Sequence, residues 1–171
     1  MLRSQCNDRE ALEALLRSIQ PSLRRYLSGL AGATDADDLL QDVLVILVRK
    51  ISMLDDPKLF RPWSFRIASR EAFRHIRKRR LWDGRHEADA ELDDLAMAET
   101  LPSGDLLREL LAIDTISPAS RAVLILHFEE ELSLPEVAAI LDIPLGTAKS
   151  RLGYGLNSIR KHLKASGGSH G

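Results

Sequence analysis

Two apolar stripes separated by a three-residue break constrain the last third of this chain more than any other feature. Ser133, followed three residues later by Glu136, has the form of a capping box and opens a short helix ending near Leu141. Asp142, Ile143 and Pro144 make a tight break. Leu145, Ala148, Leu152, Leu156, Ile159 and Leu163 then recur at spacings of three and four, which only a helix gathers onto one face. A short helix, a break and a longer helix describe a helix-turn-helix. Thr147, Ser150, Tyr154, Asn157 and Lys161 form the outer face, with Lys149 at its flank. Side chains near the start of such a second helix enter the major groove of a duplex, where Thr147, Lys149 and Ser150 can donate or accept at base edges. Arg151, nearer the apolar stripe, suits a phosphate. The plain alternative is a helical hairpin whose polar face binds nothing. Gly153 and Gly155 each cost a helix about 1 kcal/mol relative to alanine, but the continuous apolar stripe carries the helix through them, with its middle free to bend or stay adaptable.

The rest of the chain is helical in pattern too. Asn7 or Asp8 can cap a first helix to about Ile19, and Pro21 suits the first turn of a second, Ser22 to Leu30, ended by Gly29 and Gly32. Thr34 and Asp37 resemble a capping box. Leu39, Leu40, Val43, Leu44, Leu47 and Ile51 follow on one face of the helix they would open. Asp55, Asp56 and Pro57 form a turn, and Phe60 to about Arg80 reads as a long helix with Trp63, Ile67, Phe73 and Ile76 as its apolar positions. Ser117 and Pro118 give a cap and first turn for a helix through Phe128. Aromatic residues are only 5% of the chain while Leu, Ala, Arg and Glu dominate, which disfavours an all-β fold. The expected class is all-α.

A formal net charge of -1 conceals segregated blocks. From Lys58 to Arg80 nine basic residues face one acidic residue, Glu71; from Asp83 to Glu109 nine acidic residues face Arg85 and Arg108. After Asp142 no acidic residue follows. Pro102, Ser103 and Gly104 close the acidic stretch, which reads as a linker. Two small helical domains result, residues 1–81 and 105–171, joined by an acidic linker over 82–104. A polyanion held at two places explains the two basic blocks, and solvated helix faces are the alternative.

Catalytic patterns are missing from the sequence. There is no glycine-rich phosphate loop, and His75, His86, His127, His162 and His170 are scattered without ligand spacing. Glu129, Glu130 and Glu131 read as a solvated turn. Cys6, the one cysteine, allows no internal disulfide, and no catalytic pattern surrounds it, so a nucleophile is not expected. No enzymatic activity, metal or cofactor is expected. The N-terminus lacks an apolar signal segment and no run approaches the roughly 18 residues of a membrane span, so a cytoplasmic location is expected.

Three segments in order resemble the extracytoplasmic-function (ECF) sigma factors, small two-domain specificity subunits of bacterial RNA polymerase. Asp35-Ala36-Asp37-Asp38-Leu39-Leu40-Gln41-Asp42-Val43 is similar to the family's polymerase-gripping helix, which implies polymerase contacts at Asp38, Leu39, Gln41 and Asp42. Phe60-Arg61-Pro62-Trp63-Ser64-Phe65-Arg66-Ile67-Ala68, running into Arg77-Lys78-Arg79-Arg80, resembles the helix that handles the minus-ten element. That implies DNA contacts at Trp63, Arg70, Arg74, Arg77, Lys78, Arg79 and Arg80. LSLPEVAAILDIPLGTAKSRL, from Leu132, resembles the minus-thirty-five reader and implies DNA contacts at Thr147, Lys149, Ser150, Arg151 and Tyr154. The implied partners are core RNA polymerase, promoter DNA and an anti-sigma factor. Leu44 and Val48 stand where relatives often carry aromatics, Arg70 and Arg74 where they carry Asn and Asp, and Tyr154 where a basic residue is common. Two other functions fit such a chain: a decoy that occupies an anti-sigma factor without starting transcription, and a stand-alone helix-turn-helix repressor.

Overall fold

The computed structural model describes residues 9–82 and 115–167, and the chain divides into two units, Met1–His86 and Glu87–Gly171. The expected linker, apart from Trp82, and the expected start of the second domain lie outside the described residues. All the regular elements among the described residues are helical.

In the first unit α1 (Arg9–Ala31), α2 (Ala33–Lys50) and α3 (Phe60–Trp82) pack pairwise as a three-helix bundle. Leu23, Tyr26 and Leu27 of α1, Leu39, Val43 and Leu47 of α2, and Phe65 and Ala68 of α3 form its core. Tyr26 meets Phe65 edge to face, with ring centroids 5.5 Å apart. The bend between α1 and α2 takes a single residue, Gly32, at φ 92°, a value glycine reaches without a Cβ penalty. Two short 3-10 turns, Ile51–Met53 and Pro57–Leu59, lead into α3.

Three expectations need correction here. Pro21 does not divide two helices: it lies inside the continuous α1. Proline in a helix interior costs about 3 kcal/mol, but Ile19 on one side and Leu23, Tyr26 and Leu27 on the other are all buried. Each such side chain recovers about 1.5–3 kcal/mol, so tertiary burial overrides the break. Thr34 and Asp37 form no capping box. Gly32 holds the cap position without a side-chain bond, and Asp37 accepts instead from Arg24, Nε at 2.7 Å and Nη2 at 3.2 Å. Third, the buried face of α3 is not the stripe Trp63, Ile67, Phe73 and Ile76, all of which are partly exposed. It runs through Phe60, Ser64, Phe65, Ala68, Ser69 and Ala72. The two serines are buried because their hydroxyls donate to helix carbonyls one turn back, Ser64 to Phe60 and Ser69 to Phe65, each at 2.7 Å.

In the second unit α4 (Pro118–Leu124) runs into a π-turn, Ile125–Glu129, followed by α5 (Leu134–Leu141) and α6 (Leu145–Gly167). Ser117 caps α4, its Oγ accepting from the Ser120 amide at 3.2 Å, with Pro118 in the first turn as expected. The Glu136 carboxylate accepts from both the amide and the hydroxyl of Ser133, at 2.8 and 2.6 Å, which fixes the start of α5. Asp142 ends that helix in the left-handed region, φ 59°. Both α4 and α5 pack on α6. Ala148, Leu152, Leu156 and Ile159 are buried as expected, whereas Leu145 and Leu163, at the ends of the stripe, are exposed. The glycines do not break α6. A Cβ on Gly155 would lie 2.4 Å from Leu124 Cδ1, so the missing side chain lets α6 approach α4. The acidic turn is not wholly solvated either: Glu130 is buried, Glu129 half-buried and Glu131 exposed.

Candidate nucleic-acid interface

The second unit presents the start of α6 as an open surface. Burial of Ala148 and Leu152 fixes the rotation of the helix, and the same rotation turns Lys149 and Ser150 outward. Thr147, Arg151, Tyr154 and Asn157 are half-buried and Lys161 is exposed. The Ser150 hydroxyl donates to the Gly146 carbonyl at 3.1 Å, which spends its proton and leaves oxygen lone pairs facing outward as acceptors. Lys149 supplies donors and positive charge beside it. The short α5, the left-handed Asp142 and the longer α6 reproduce the helix-turn-helix order. The turn is held from within, since the Ile143 amide donates to the Ala138 carbonyl at 3.0 Å. His127 braces the approach to α5, its Nδ1 donating to the Leu132 carbonyl at 2.7 Å.

In the first unit the cations lie along the outer faces of α3. Arg70, Arg74, Arg77, Lys78 and Arg79 are exposed and Arg80 is half-buried. They are not equivalent. Arg74 pairs with Glu71, and Arg79 donates through Nη1 to Asp35 Oδ2 at 2.9 Å. His75 Nε2 lies 2.9 Å from the same carboxylate oxygen. Asp35, in the first turn of α2, thus holds two side chains of α3, and the hydrogen bond from His75, reinforced by the positive charge of Arg79, keeps its carboxyl below the ordinary range despite partial burial. Arg77 and Lys78 make no ion pair among the described residues. They are the cations of the run best presented to a polyanion. Trp63 is half-buried, its ring 6.3 Å from that of Phe60, while Phe60 and Phe65 are core residues. The Arg61 guanidinium lies 5.6 Å from the Phe65 ring centroid.

The outer face of α2 makes a third surface. Asp38, Gln41 and Asp42 are exposed and share a face by helical spacing. Leu39 does not belong with them: at 5% exposure it sits in the bundle core, its place fixed by the stripe it shares with Val43 and Leu47. Val45 and Val48 continue the acidic face and are exposed, 47% and 43%. Sequence reasoning passed over Val45, although its spacing of three and four from Asp42 and Gln41 was a usable signal. Trp82, in the last turn of α3, is 84% exposed and was also missed. Its position two residues after the basic run was the clue.

Among the described residues no group of three His, Cys, Asp or Glu side chains is arranged to hold a metal ion, and no helix is long and apolar enough to cross a membrane.

The comparisons with known proteins bear on both units. Residues 15–81 match the Sigma-70 region 2 model and residues 112–161 the Sigma-70, region 4 model. The ECF RNA polymerase sigma factor SigW of Bacillus subtilis is 27% identical over 150 residues, covering 79% of each chain. The ECF RNA polymerase sigma-E factor of Escherichia coli is 25% identical over 167 residues, covering 88% of this chain and 85% of its own. Among solved structures, the sigma factor RpoE in complex with the anti-sigma factor NepR from Bartonella quintana superposes with a TM-score of 0.70 at 26% identity, over 91% of this chain and 98% of that one. CnrH in complex with the cytosolic domain of CnrY gives 0.65 at 23% identity, over 96% and 94%, a likeness of fold. Two region models in chain order, relatives matched over most of their length and the shared all-helical fold agree: this chain belongs to the ECF sigma factor family.

Proposed function

We propose that this chain recruits core RNA polymerase to specific promoters in the cytoplasm and starts transcription there. In this reading the first unit docks on polymerase through Asp38, Gln41, Asp42 and the adjoining Val45 and Val48. It handles the minus-ten region through Trp63 and the outward cations of α3, Arg70, Arg74, Arg77, Lys78, Arg79 and Arg80. The second unit reads the minus-thirty-five element through Thr147, Lys149 and Ser150, with Arg151 on a phosphate and Tyr154 further along the groove. The domain limits proposed are residues 1–81 and 105–171, with 82–104 between them. The chain does this without chemistry of its own.

The observation that carries the reading is the double presentation of charge. Each unit buries one side of a long helix in its own core and turns cations outward from the other side, on α3 and on α6. A promoter-binding subunit needs both, because a duplex element is read in its groove while a melting element is held mainly by its backbone. An anti-sigma factor is the proposed regulator, since the neighbour RpoE is described as a sigma factor in complex with the anti-sigma factor NepR.

Run-off transcription with core polymerase and a library of genomic promoter fragments tests this. Transcripts that start downstream of a shared two-block motif and are lost in Arg77→Ala/Lys78→Ala are expected. A folded protein that binds an anti-sigma factor and yields no transcript from any template identifies the decoy instead. An operator footprint without polymerase identifies a repressor.

A further inference from the structure

We propose that Trp82 is a stacking site for an unpaired nucleobase, set at the end of the basic helix so that a single strand follows its cations to the indole. This rests on the reading above that the first unit handles promoter DNA. Tryptophan is a largely buried residue in folded proteins, yet Trp82 is 84% exposed and its neighbour Leu81 66%. Both lie in the last turn of α3. The other tryptophan, Trp63, is half-buried beside Phe60, so its face is already partly used. That of Trp82 is open.

The surroundings choose the ligand. Lys78 precedes Trp82 by four residues and Arg79 by three, which places both on the same side of the helix as the indole. Within the two turns before it lie Arg74, Arg77, Lys78, Arg79 and Arg80, of which Arg74 pairs with Glu71 and Arg79 with Asp35. An exposed apolar ring in such a field suits a partner that is polyanionic and also offers flat π faces. Single-stranded nucleic acid has both properties, and a base stacked on an aromatic side chain with its backbone held by cations is the usual geometry for such strands. An intact duplex hides its base faces, so the indole distinguishes open from closed DNA. Asp35 adds order by fixing Arg79 on the same side at 2.9 Å. Stacking tolerates every base, so the site contributes to holding an opened strand and carries little sequence information.

The test uses the full-length Trp63→Phe protein, in which Trp82 is the single tryptophan and its emission reports the site directly. The free protein is expected to show the red emission of a solvated indole, quenched on titration with oligothymidine and little changed by a duplex of equal length. In the parent protein, with Trp63 intact, Trp82→Ala should weaken oligothymidine binding roughly five- to a hundredfold, by anisotropy of the labelled strand, while Trp82→Phe restores most of it. Duplex affinity should not move. Blue-shifted emission in the free protein, no response at saturating oligothymidine, equal quenching by duplex, or quenching by core polymerase in the absence of DNA each overturns the proposal. The transcription reading fails separately: transcripts with a silent Trp82 reject the stacking site alone, and quenching without transcripts rejects promoter-directed initiation alone.

Discussion

Replacing Gly155 with alanine should destabilise the second unit, although helix propensity alone predicts the opposite. Within a helix the change is worth about 1 kcal/mol in favour of alanine. The new Cβ, however, would meet Leu124 Cδ1 at 2.4 Å and Cγ at 3.0 Å, and Leu124 is fully buried, so its side chain has nowhere to swing. Forcing an extra carbon into a packed site costs about 1–3 kcal/mol, leaving a net loss of up to about 2 kcal/mol. Gly146 is the control. It lies in the first turn of the same helix with nothing within 4 Å of its Cβ position, so Gly146→Ala should be neutral or stabilising by up to about 1 kcal/mol. Native-state hydrogen exchange of the α4 and α6 amides resolves this unit from the other, with about 1.4 kcal/mol for each tenfold change in exchange. Gly155→Ala should exchange up to about thirtyfold faster than the parent. In a Leu124→Ala background the obstructing atoms are gone and the same substitution should turn stabilising. Equal stabilisation at both glycines in the parent would refute the claim that α4 and α6 meet through Gly155.

Other consequences are as direct. Ser69 gives its one proton to the Phe65 carbonyl, so in the 2.7 Å contact with Tyr26 the phenol must be the donor. Ser69→Ala should therefore cost more than Tyr26→Phe, about 1–3 against about 1 kcal/mol in urea unfolding of the first unit, because it orphans a fully buried hydroxyl. Burial holds that phenol well above its ordinary value, so tyrosinate absorption should not appear at Tyr26 before the unit unfolds in alkali. Asp35 has a folded value below its ordinary 3.8, so its contribution is complete above 3.8 and disappears as pH falls through the lower folded value. The stability gap between Asp35→Asn and the parent should close over that acid window in a pH series of urea melts, and a gap that persists below it would assign the loss to something other than charge. Arg77→Ala and Lys78→Ala should each lower the slope of log affinity against log salt by about one on single-stranded DNA, with Arg79→Ala lowering it less because Asp35 already neutralises that guanidinium.

The sequence made the second unit more legible than the first. The capping box at Ser133, the break at Asp142 and the stripe through Ala148, Leu152, Leu156 and Ile159 are local signals, and each side chain lies where its spacing required. The π-turn was not readable, because an extra residue in a helical turn leaves no mark in a pattern of period 3.6. In the first unit the errors share one cause. Pro21, Thr34 and the supposed stripe of α3 were judged by local propensity and hydrophobicity, whereas the bundle decides by what fits between helices. Leu39 was misplaced differently, since a short motif carries buried and exposed positions alike and only the rotation of α2 separates it from Asp38 and Gln41. Arg79 could not be told from its three neighbours without knowing that Asp35, 44 residues earlier, lies against it.

The small buried face of α3 has a consequence for how such a protein can change. Phe60 and Phe65 aside, that face consists of Ser64, Ala68, Ser69 and Ala72, so the helix is anchored by close backbone approach and two internally satisfied hydroxyls. Its exposed charged and aromatic side chains, Arg70, Arg74, Arg77, Lys78 and Trp82, carry little of the packing. Substitutions there can alter the outer surface of α3, and with it any polyanion it holds, without repacking the bundle. On the proposed function, foldability and promoter preference are thereby written on opposite sides of one helix, and a lineage can revise the second while leaving the first intact.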